Sequence, residues 1–354
     1  MTTILTTTGI SLYNNTKRIH DHKLPTDDQM RQYLRTDPKN ASSEANSLLR
    51  MAKKDDHLAL LHTQTPTAVK CIELLRNYFQ DEGYKNVRLV QLEFQDDPKH
   101  IETTGLRGLI ETLINEIKLA QKKGQEVIIN ATAGFKAQVV YSTMIGMIYQ
   151  IPVKYIYENF ESVITFNPVA VDWDTSLFLT YETFFKWLDA EARTQKEVEK
   201  YLKDYPDRER IEAVLTPVDT NGYVFLSYMG DALRRKFEYE IEEAELAEWP
   251  PAAEVKNTKD KIANGILDKN HHPAKGSLEA CYKIAAIDCV RGIIGGFYEP
   301  TTRTAIKCVN SDGSIILRWA DNEKADRFTI FTTATTKPQT LKVAQKIKEI
   351  LEIS

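Results

Sequence analysis

Seven consecutive residues, Asn130-Ala131-Thr132-Ala133-Gly134-Phe135-Lys136, have the types and order of an anion cradle. They follow the apolar run Val127-Ile128-Ile129 and lead into a helical pattern through Val139, Val140, Met144 and Ile148. A strand, a small-residue turn and a helix start leave backbone N–H groups facing whatever lies over the turn, and the helix dipole adds partial positive charge. Lys136 adds a full charge. A second such turn, Thr6-Thr7-Thr8-Gly9-Ile10-Ser11-Leu12, follows the strand-like Thr3-Ile4-Leu5. A third strand end carries His62-Thr63-Gln64-Thr65. Loops of this kind at the carboxyl ends of parallel strands point to one pocket for a phosphorylated ligand. The chain has neither a GxGxxG fingerprint nor a Walker A motif, which disfavours the usual dinucleotide and nucleoside triphosphate sites.

The elements that must hold these loops are legible as an alternation. Strand candidates are Thr3–Thr8, His57–His62, Val87–Phe94, Glu126–Asn130 and Val153–Tyr157, with a β-like run Ser162–Phe166 after them. Helical patterns between them run over Ser42–Lys53, Thr67–Asp81, Gly105–Lys122 and Phe135–Ile148. Such alternation predicts an α/β fold with a mostly parallel sheet covered on both faces. From Leu177 the chain turns helical and acidic. The turn signal Asp219–Gly222 precedes a strand Tyr223–Leu226, and Ser227 caps a helix reaching about Glu248. Helix, helix, hairpin and helix resemble a winged-helix element. Trp249-Pro250-Pro251 is the clearest linker signal. Beyond it the pattern predicts helices over Lys256–Leu267 and Ser277–Val290, strands Arg303–Val309, Ser314–Trp319 and Arg327–Thr333, and a last helix Gln339–Leu351. That is a small α+β domain. The expected division is 1–175, 176–250 and 251–354.

A chain of 354 residues with 42% apolar and 27% charged residues suits a globular protein of two or three domains. No apolar run approaches the ~20 residues of a membrane span, and no secretory signal opens the chain. A cytoplasmic protein without membrane contact is expected. Cys71, Cys281, Cys289 and Cys308 form no CxxC pair, and His271-His272 stands alone, so no metal is expected. Charge is uneven. Residues 1–177 carry net −1, residues 178–255 net −8 and residues 256–354 net +5. Only the last segment has the sign that favours nucleic acid.

The two loops resemble those of the CARF domain of CRISPR ancillary effectors. Thr8-Gly9-Ile10-Ser11-Leu12 is similar to its TxGxSLL loop, and Asn130–Lys136 to its N-x-T-G-G-F-K loop, with Ala133 in place of the first glycine of the pair. Tyr155-Ile156-Tyr157-Glu158 matches its "YIYE"-type segment. The resemblance covers about residues 1–175. It implies a Rossmann-like sensor of cyclic oligoadenylate, with cyclic tetra-adenylate the expected form, acting as an allosteric activator on a homodimer. The ligand set it implies is Thr8, Gly9, Ser11, Gln64, Thr65, Thr132, Gly134, Phe135 and Lys136. Ser11 would donate to phosphate, Lys136 would neutralise it, and Gln64 or Thr65 would read a base edge.

HEPN ribonucleases, frequent partners of this sensor, carry Arg-x(4–6)-His; the only match, Arg50…His57, lies inside the sensor pattern. The C-terminal segment instead resembles a RelE-type mRNA interferase in its order of helices, Thr302–Lys307, hairpin, Ser314–Arg318, third strand and last helix. The resemblance implies a metal-independent endoribonuclease, without cofactor, whose partners are the ribosome and its mRNA. In such cleavage the ribose 2′-hydroxyl attacks the adjacent phosphate, and cations on a concave sheet supply base, acid and charge. Lys307 and Arg318 are the leading catalytic candidates, with Arg303 on the same strand face as Lys307; Arg291 and Lys337 follow. Two alternatives stand beside this reading. One is a transcription regulator that uses the winged helix. The other is a ring nuclease that cuts its own messenger through Ser11 and Lys136.

Overall fold

The structure, a computed structural model, describes residues 1–92, 106–157, 162–169, 171, 173–219, 221–267 and 273–353. Glu158 and His271-His272 lie outside the described residues. The chain forms two compact units, Met1–Asp172 and Trp173–Ser354. Among the described residues no helix is long and apolar enough to cross a membrane.

The first unit is a six-stranded sheet. Its elements in chain order are β1 (Thr2–Thr7), α1 (Ser11–Ile19), α2 (Asp27–Thr36), α3 (Pro38–Ala41), α4 (Ser43–Met51), β2 (His57–His62), α5 (Pro66–Asp81), β3 (Asn86–Gln91), α6 (Leu106–Lys122), β4 (Glu126–Asn130), α7 (Lys136–Ile148), β5 (Val153–Tyr155) and β6 (Ile164–Phe166). The strand order is β3-β2-β1-β4-β5-β6. All neighbours are parallel except β5 and β6. This is a Rossmann-like order, and it reverses direction between β1 and β4. A right-handed crossover on each side of that reversal sends the helices to opposite faces. The crevice opens there, at the carboxyl ends of β1 and β4.

Local chemistry fixes the helix starts. Thr26 and Gln29 form a reciprocal capping box at α2, Ser42 caps α4 through the Ala45 N–H, and Thr65 caps α5 ahead of Pro66. The face made by Ile4, Leu58 and Leu60 packs under Leu12, Met30, Leu48, Ile72 and Phe79 in one core. In α6, buried Leu106, Leu109, Ile110, Leu113, Ile114 and Ile117 recur at helical spacing. Helices α1 and α2, whose outer faces are polar, were not expected.

The second unit contains α8 (Ser176–Thr180), α9 (Glu182–Ala190), β7 (Arg193–Thr194), α10 (Gln195–Leu202), α11 (Arg208–Glu212), β8 (Tyr223–Val224), α12 (Tyr228–Leu246), α13 (Asn264–Leu267), α14 (Ser277–Ala285), β9 (Val290–Glu299), β10 (Ala305–Val309), β11 (Ser314–Ala320), β12 (Ala325–Thr332) and α15 (Lys337–Ile350). Strands β10-β11-β12-β9 make an antiparallel sheet, and β7 pairs with β8. Cys281, Ile284, Leu317, Phe328, Ile330, Leu341 and Ala344 share one core on one face of the larger sheet. The aromatic cluster of Phe178, Phe184, Phe185, Tyr201 and Tyr205 forms another.

Two expectations fail here. The helix over Lys256–Leu267 shrinks to the single turn α13. Residues before it run alongside β9 instead, with Ile262 bridged to Ile293 and the Ile293 N–H donating to the Lys261 carbonyl at 2.7 Å. Burial lowers the pKa of Lys261, whose ammonium donates to the Ala285 and Ile287 carbonyls. The helix read over Ser277–Val290 ends at Ala285, and an unanticipated strand, β9, follows it from Val290 to Glu299. Two register shifts against β12 mark where β9 bulges.

Gly146 in α7 yields a test of the sheet–helix packing. A Cβ there would lie 2.3 Å from Val153 Cγ2 and 2.9 Å from the Ile151 carbonyl oxygen. Alanine normally stabilises a helix interior over glycine by about 1 kcal/mol. Here overpacking opposes it, and Gly146→Ala is expected to destabilise the first unit by about 1–3 kcal/mol in urea unfolding. A gain in stability would overturn this account of the contact.

Candidate functional site

The two cradle-like loops meet at the reversal point. Gly9 and Gly134 are so close that a Cβ on Gly9 would lie 3.5 Å from the Gly134 nitrogen. Gly134 has φ +106°, which favours glycine, and a Cβ there would strike the Gln138 side chain at 2.2 Å. The Gln138 Oε1 accepts from the Phe135 N–H, fixing the entry to α7. The first turn of α7 contains no acidic residue. Lys136 is exposed on it, so the charge and the dipole add at this end.

Between the loops lies a cavity of about 300 Å³, lined among others by Gly9, Ser11, Glu44, Thr132, Gly134 and Phe135. Of the nine expected ligand residues the structure brings these five, Gly9, Ser11, Thr132, Gly134 and Phe135, to one cavity. Lys136 follows Phe135 directly in the chain. Thr8 is buried and spends its hydroxyl on the Leu61 carbonyl at 2.7 Å. Thr65 uses its hydroxyl as the α5 cap. Gln64 is exposed beside it at the end of β2. Thr132 donates to Asn130 Oδ1 at 2.7 Å and accepts from the Ile156 N–H at 3.1 Å, tying its loop to β4 and the end of β5.

Glu44 is the residue that sequence reasoning missed. It is fully buried, and its carboxylate accepts from the Gly9 N–H at 2.7 Å, from the Ser11 hydroxyl at 2.6 Å and from the Ser42 hydroxyl at 2.6 Å. The Ser43 N–H donates to Ser11 Oγ at 3.1 Å. Ser11 was expected to donate to a phosphate; in this arrangement its proton goes to Glu44. One signal was available. Glu44 shares helical spacing with Ala41, Ala45 and Leu48, so a carboxylate occupies an apolar stripe.

The second unit gathers largely buried charge on its four-stranded sheet. Glu299 on β9 lies 3.1 Å from Lys307 Nζ, 3.6 Å from Arg318 Nη1 and 3.6 Å from Arg327 Nη1. Arg318 is fully buried; its Nε donates to the Arg303 carbonyl at 2.8 Å. Its Nη1 also lies 3.5 Å from Asp207, on the loop before α11. Tyr181 donates its hydroxyl to Asp207 and lies 3.5 Å from Arg318 Nη2. Three cations thus face two carboxylates. The Arg303 guanidinium stacks 3.7 Å from the Tyr205 ring centre. Burial pushes the Tyr205 phenol up to about 12, against the opposing Arg303 charge.

The sequence candidates therefore divide. Lys307 and Arg318 meet around Glu299, and Arg303 is attached through its carbonyl. Arg291 is exposed at the other end of β9, where it acts on Asp312. Lys337 starts α15, with Glu240 Oε1 at 3.6 Å from its ammonium. Glu299, Arg327, Asp207 and Tyr181 were not anticipated. The basic residues that a DNA-binding reading would use are engaged elsewhere: Arg208 with Glu212, Arg210 with Asp174, and Arg234 with Asp189 and Asp231.

Against known proteins, residues 39–169 match the family described as CRISPR-associated protein (Cas_APE2256), a little over a third of the chain and all within the first unit. Three solved structures show distant likeness. Can2 from Sulfobacillus thermosulfidooxidans, in complex with cyclic tetra-adenylate, is 10% identical over 70% of this chain and 67% of its own, with a TM-score of 0.26. Protein VC1899 from Vibrio cholerae is 8% identical over 94% of this chain and 77% of its own, at 0.29. Enterococcus italicus Csm6, bound to cyclic hexa-2'-fluoro-hexa-dAMP, is 9% identical over 80% of this chain and 60% of its own, at 0.27.

Asp207 supplies the test of the charged cluster. Burial alone would raise its pKa, but the Tyr181 hydrogen bond and the Arg318, Arg210 and Lys307 charges outweigh it and hold it below the usual carboxylate value. A depressed folded pKa stabilises the fold above the unfolded value of about 3.9, and the contribution is lost as pH falls through the folded value. Asp207→Asn is expected to be less stable than wild type at pH 7 in urea unfolding, with the gap closing below pH ~4. A gap that does not narrow at all as pH falls below ~4 would remove the ionised Asp207 from the cluster's energetics.

Proposed function

We propose that the first unit is a CARF-type sensor of cyclic oligoadenylate, with cyclic tetra-adenylate its expected ligand. It controls an endoribonuclease formed by the second unit. The observation that carries the sensor reading is the cavity at the β1/β4 reversal. Its Glu44 and Thr132–Phe135 walls belong to a segment that matches a CRISPR-associated family, while Gly9 and Ser11 come from the loop ahead of it. Its α7 rim offers Lys136, the helix N-terminus and a glycine-shaped turn to an anion. A homodimer would present two such rims to one ring of phosphates.

For the nuclease, the support is Glu299 in its ring of Lys307, Arg318 and Arg327. In a metal-independent, RelE-type cleavage Glu299 takes the proton of the ribose 2′-hydroxyl. The 2′-oxygen bonds to phosphorus and the P–O5′ bond breaks. Lys307 gives a proton to the departing 5′-oxygen, and Arg318 with Arg327 stabilises the charge on the phosphorane. The product is a 2′,3′-cyclic phosphate. Arg318 lies under Asp207 and Tyr181, so the active arrangement is one in which that cover has moved. The ligand favours it only by binding it better. The expected substrate is mRNA held on the ribosome, which orders the attack geometry.

Two measurements test these readings. Calorimetry is expected to show cyclic tetra-adenylate binding that weakens about ten- to hundredfold in Lys136→Ala, as loss of a charge-assisted hydrogen bond would give. Ribosome-bound message is expected to be cut only with the ligand present, and Glu299→Gln and Lys307→Ala to slow cutting about 10²–10⁴-fold. Absence of binding heat removes the sensor; equal cutting with and without ligand removes the switch.

A further inference from the structure

We propose that Ser11 reads the 2′-hydroxyl of the bound ring, and that Glu44 is the positioning residue that makes it do so. The inference rests on the oligoadenylate reading of the cavity and adds the group that the first loop selects. A serine hydroxyl has one proton and two acceptor positions. The Ser11 proton is committed to Glu44 Oε2 at 2.6 Å, and one acceptor position takes the Ser43 N–H at 3.1 Å. One acceptor position remains. The Gly9 N–H is likewise spent, on Glu44 Oε1.

The first loop therefore has little to give an anion. A phosphate oxygen brought to Ser11 would meet an acceptor, with a buried carboxylate behind it. Were Ser11 to turn its proton to the phosphate, the buried Glu44 carboxylate would lose one of its three donors and face an anion across the cavity. A group that donates fits without that loss. On an oligoadenylate backbone with 3′–5′ links, the sugar donor is the 2′-hydroxyl, the group by which proteins tell ribose from deoxyribose. The two loops then divide the work. The α7 rim takes the phosphate, and the Ser11 loop takes the sugar.

A ring with fluorine at every 2′ position is the direct probe, because fluorine keeps a ribose-like pucker and has no proton to donate. Calorimetry would compare cyclic tetra-adenylate with its 2′-fluoro counterpart on the full chain and on two variants. Wild type is expected to bind the ribose ring about tenfold more tightly, the worth of one good hydrogen bond. In Ser11→Ala the ratio falls to about one. Glu44→Gln tests the positioning role. The Gly9 N–H keeps the amide oxygen at the Oε1 position, so the amide NH₂ faces Ser11 and Ser42. Ser11 then accepts from the amide and its own proton is freed, so the 2′-hydroxyl meets it as an acceptor instead of a donor, without the carboxylate's polarisation. The ratio is expected to shrink without vanishing; an unchanged ratio removes Glu44 from the proposal. Circular dichroism checks that both variants fold.

If wild type binds both rings equally, the inference falls while the sensor reading stands. A ratio that survives Ser11→Ala assigns the discrimination to another residue and overturns the proposal. If neither ring binds, the sensor reading itself fails and takes the inference with it.

Discussion

A charge cut off from water must be met by partners, and that constraint shapes both units. In the first, the Glu44 carboxylate is fully buried at the floor of the cavity, and a backbone N–H and two hydroxyls surround it. Those three donors come from the loop after β1 and from the start of α4. Satisfying the carboxylate therefore sets the path of the loop. In the second unit, Arg318 is equally buried and draws Glu299 from one side and Asp207 from the other. Neither charge is a sign of surplus stability, since a buried pair rarely outperforms a well-packed apolar one. What each does is define one arrangement sharply, because every alternative strands a charge.

The same constraint determines what the sites have left to offer. A donor used inside the fold is not available to a ligand. By this accounting the loop after β1 looks like an anion cradle in sequence and behaves as a sugar-facing acceptor in the proposed complex. The loop after β4 keeps its cationic character, because its side chains satisfy one another. Thr132 and Asn130 pair, and Gln138 meets the Phe135 N–H, while Lys136 stays exposed. In that proposed complex, two loops of similar composition take different parts through a single carboxylate on a neighbouring helix.

How much of this was legible follows from the range of each interaction. The parallel strands of the first unit showed as short apolar runs, and their ends as clusters of Thr, Gly and Ser, because both signals are local. Strand β9 did not show, because glycines at 292, 295 and 296 weaken the strand pattern, and only pairing with β12, with two register shifts, brings it out. The failed helix over Lys256–Leu267 has adequate helical pattern, but tertiary pairing with β9 takes its backbone groups. Glu44 stands 35 residues from Gly9, and Asp207 stands 111 from Arg318. No local spacing relates such pairs. Lys307 and Arg318 could be nominated because their strands were recognisable; the carboxylate between them could not, because its strand was not.

The cover over Arg318 bears on how little energy a switch would need. Opposite unit charges about 4 Å apart interact by roughly 4 kcal/mol at the effective dielectric of partly buried sites. Withdrawing Asp207 without replacement would forfeit much of that, and would demand a comparable preference from the activating ligand. A substrate phosphate changes the account. It carries the same sign as the departing carboxylate and can take its place beside Arg318, so the guanidinium exchanges one anion for another. In the proposed cycle the ligand need only favour the open arrangement modestly, and RNA completes the shift. In the same proposed cycle, opening without RNA stays costly, so the cationic cluster would remain covered when there is nothing to cut.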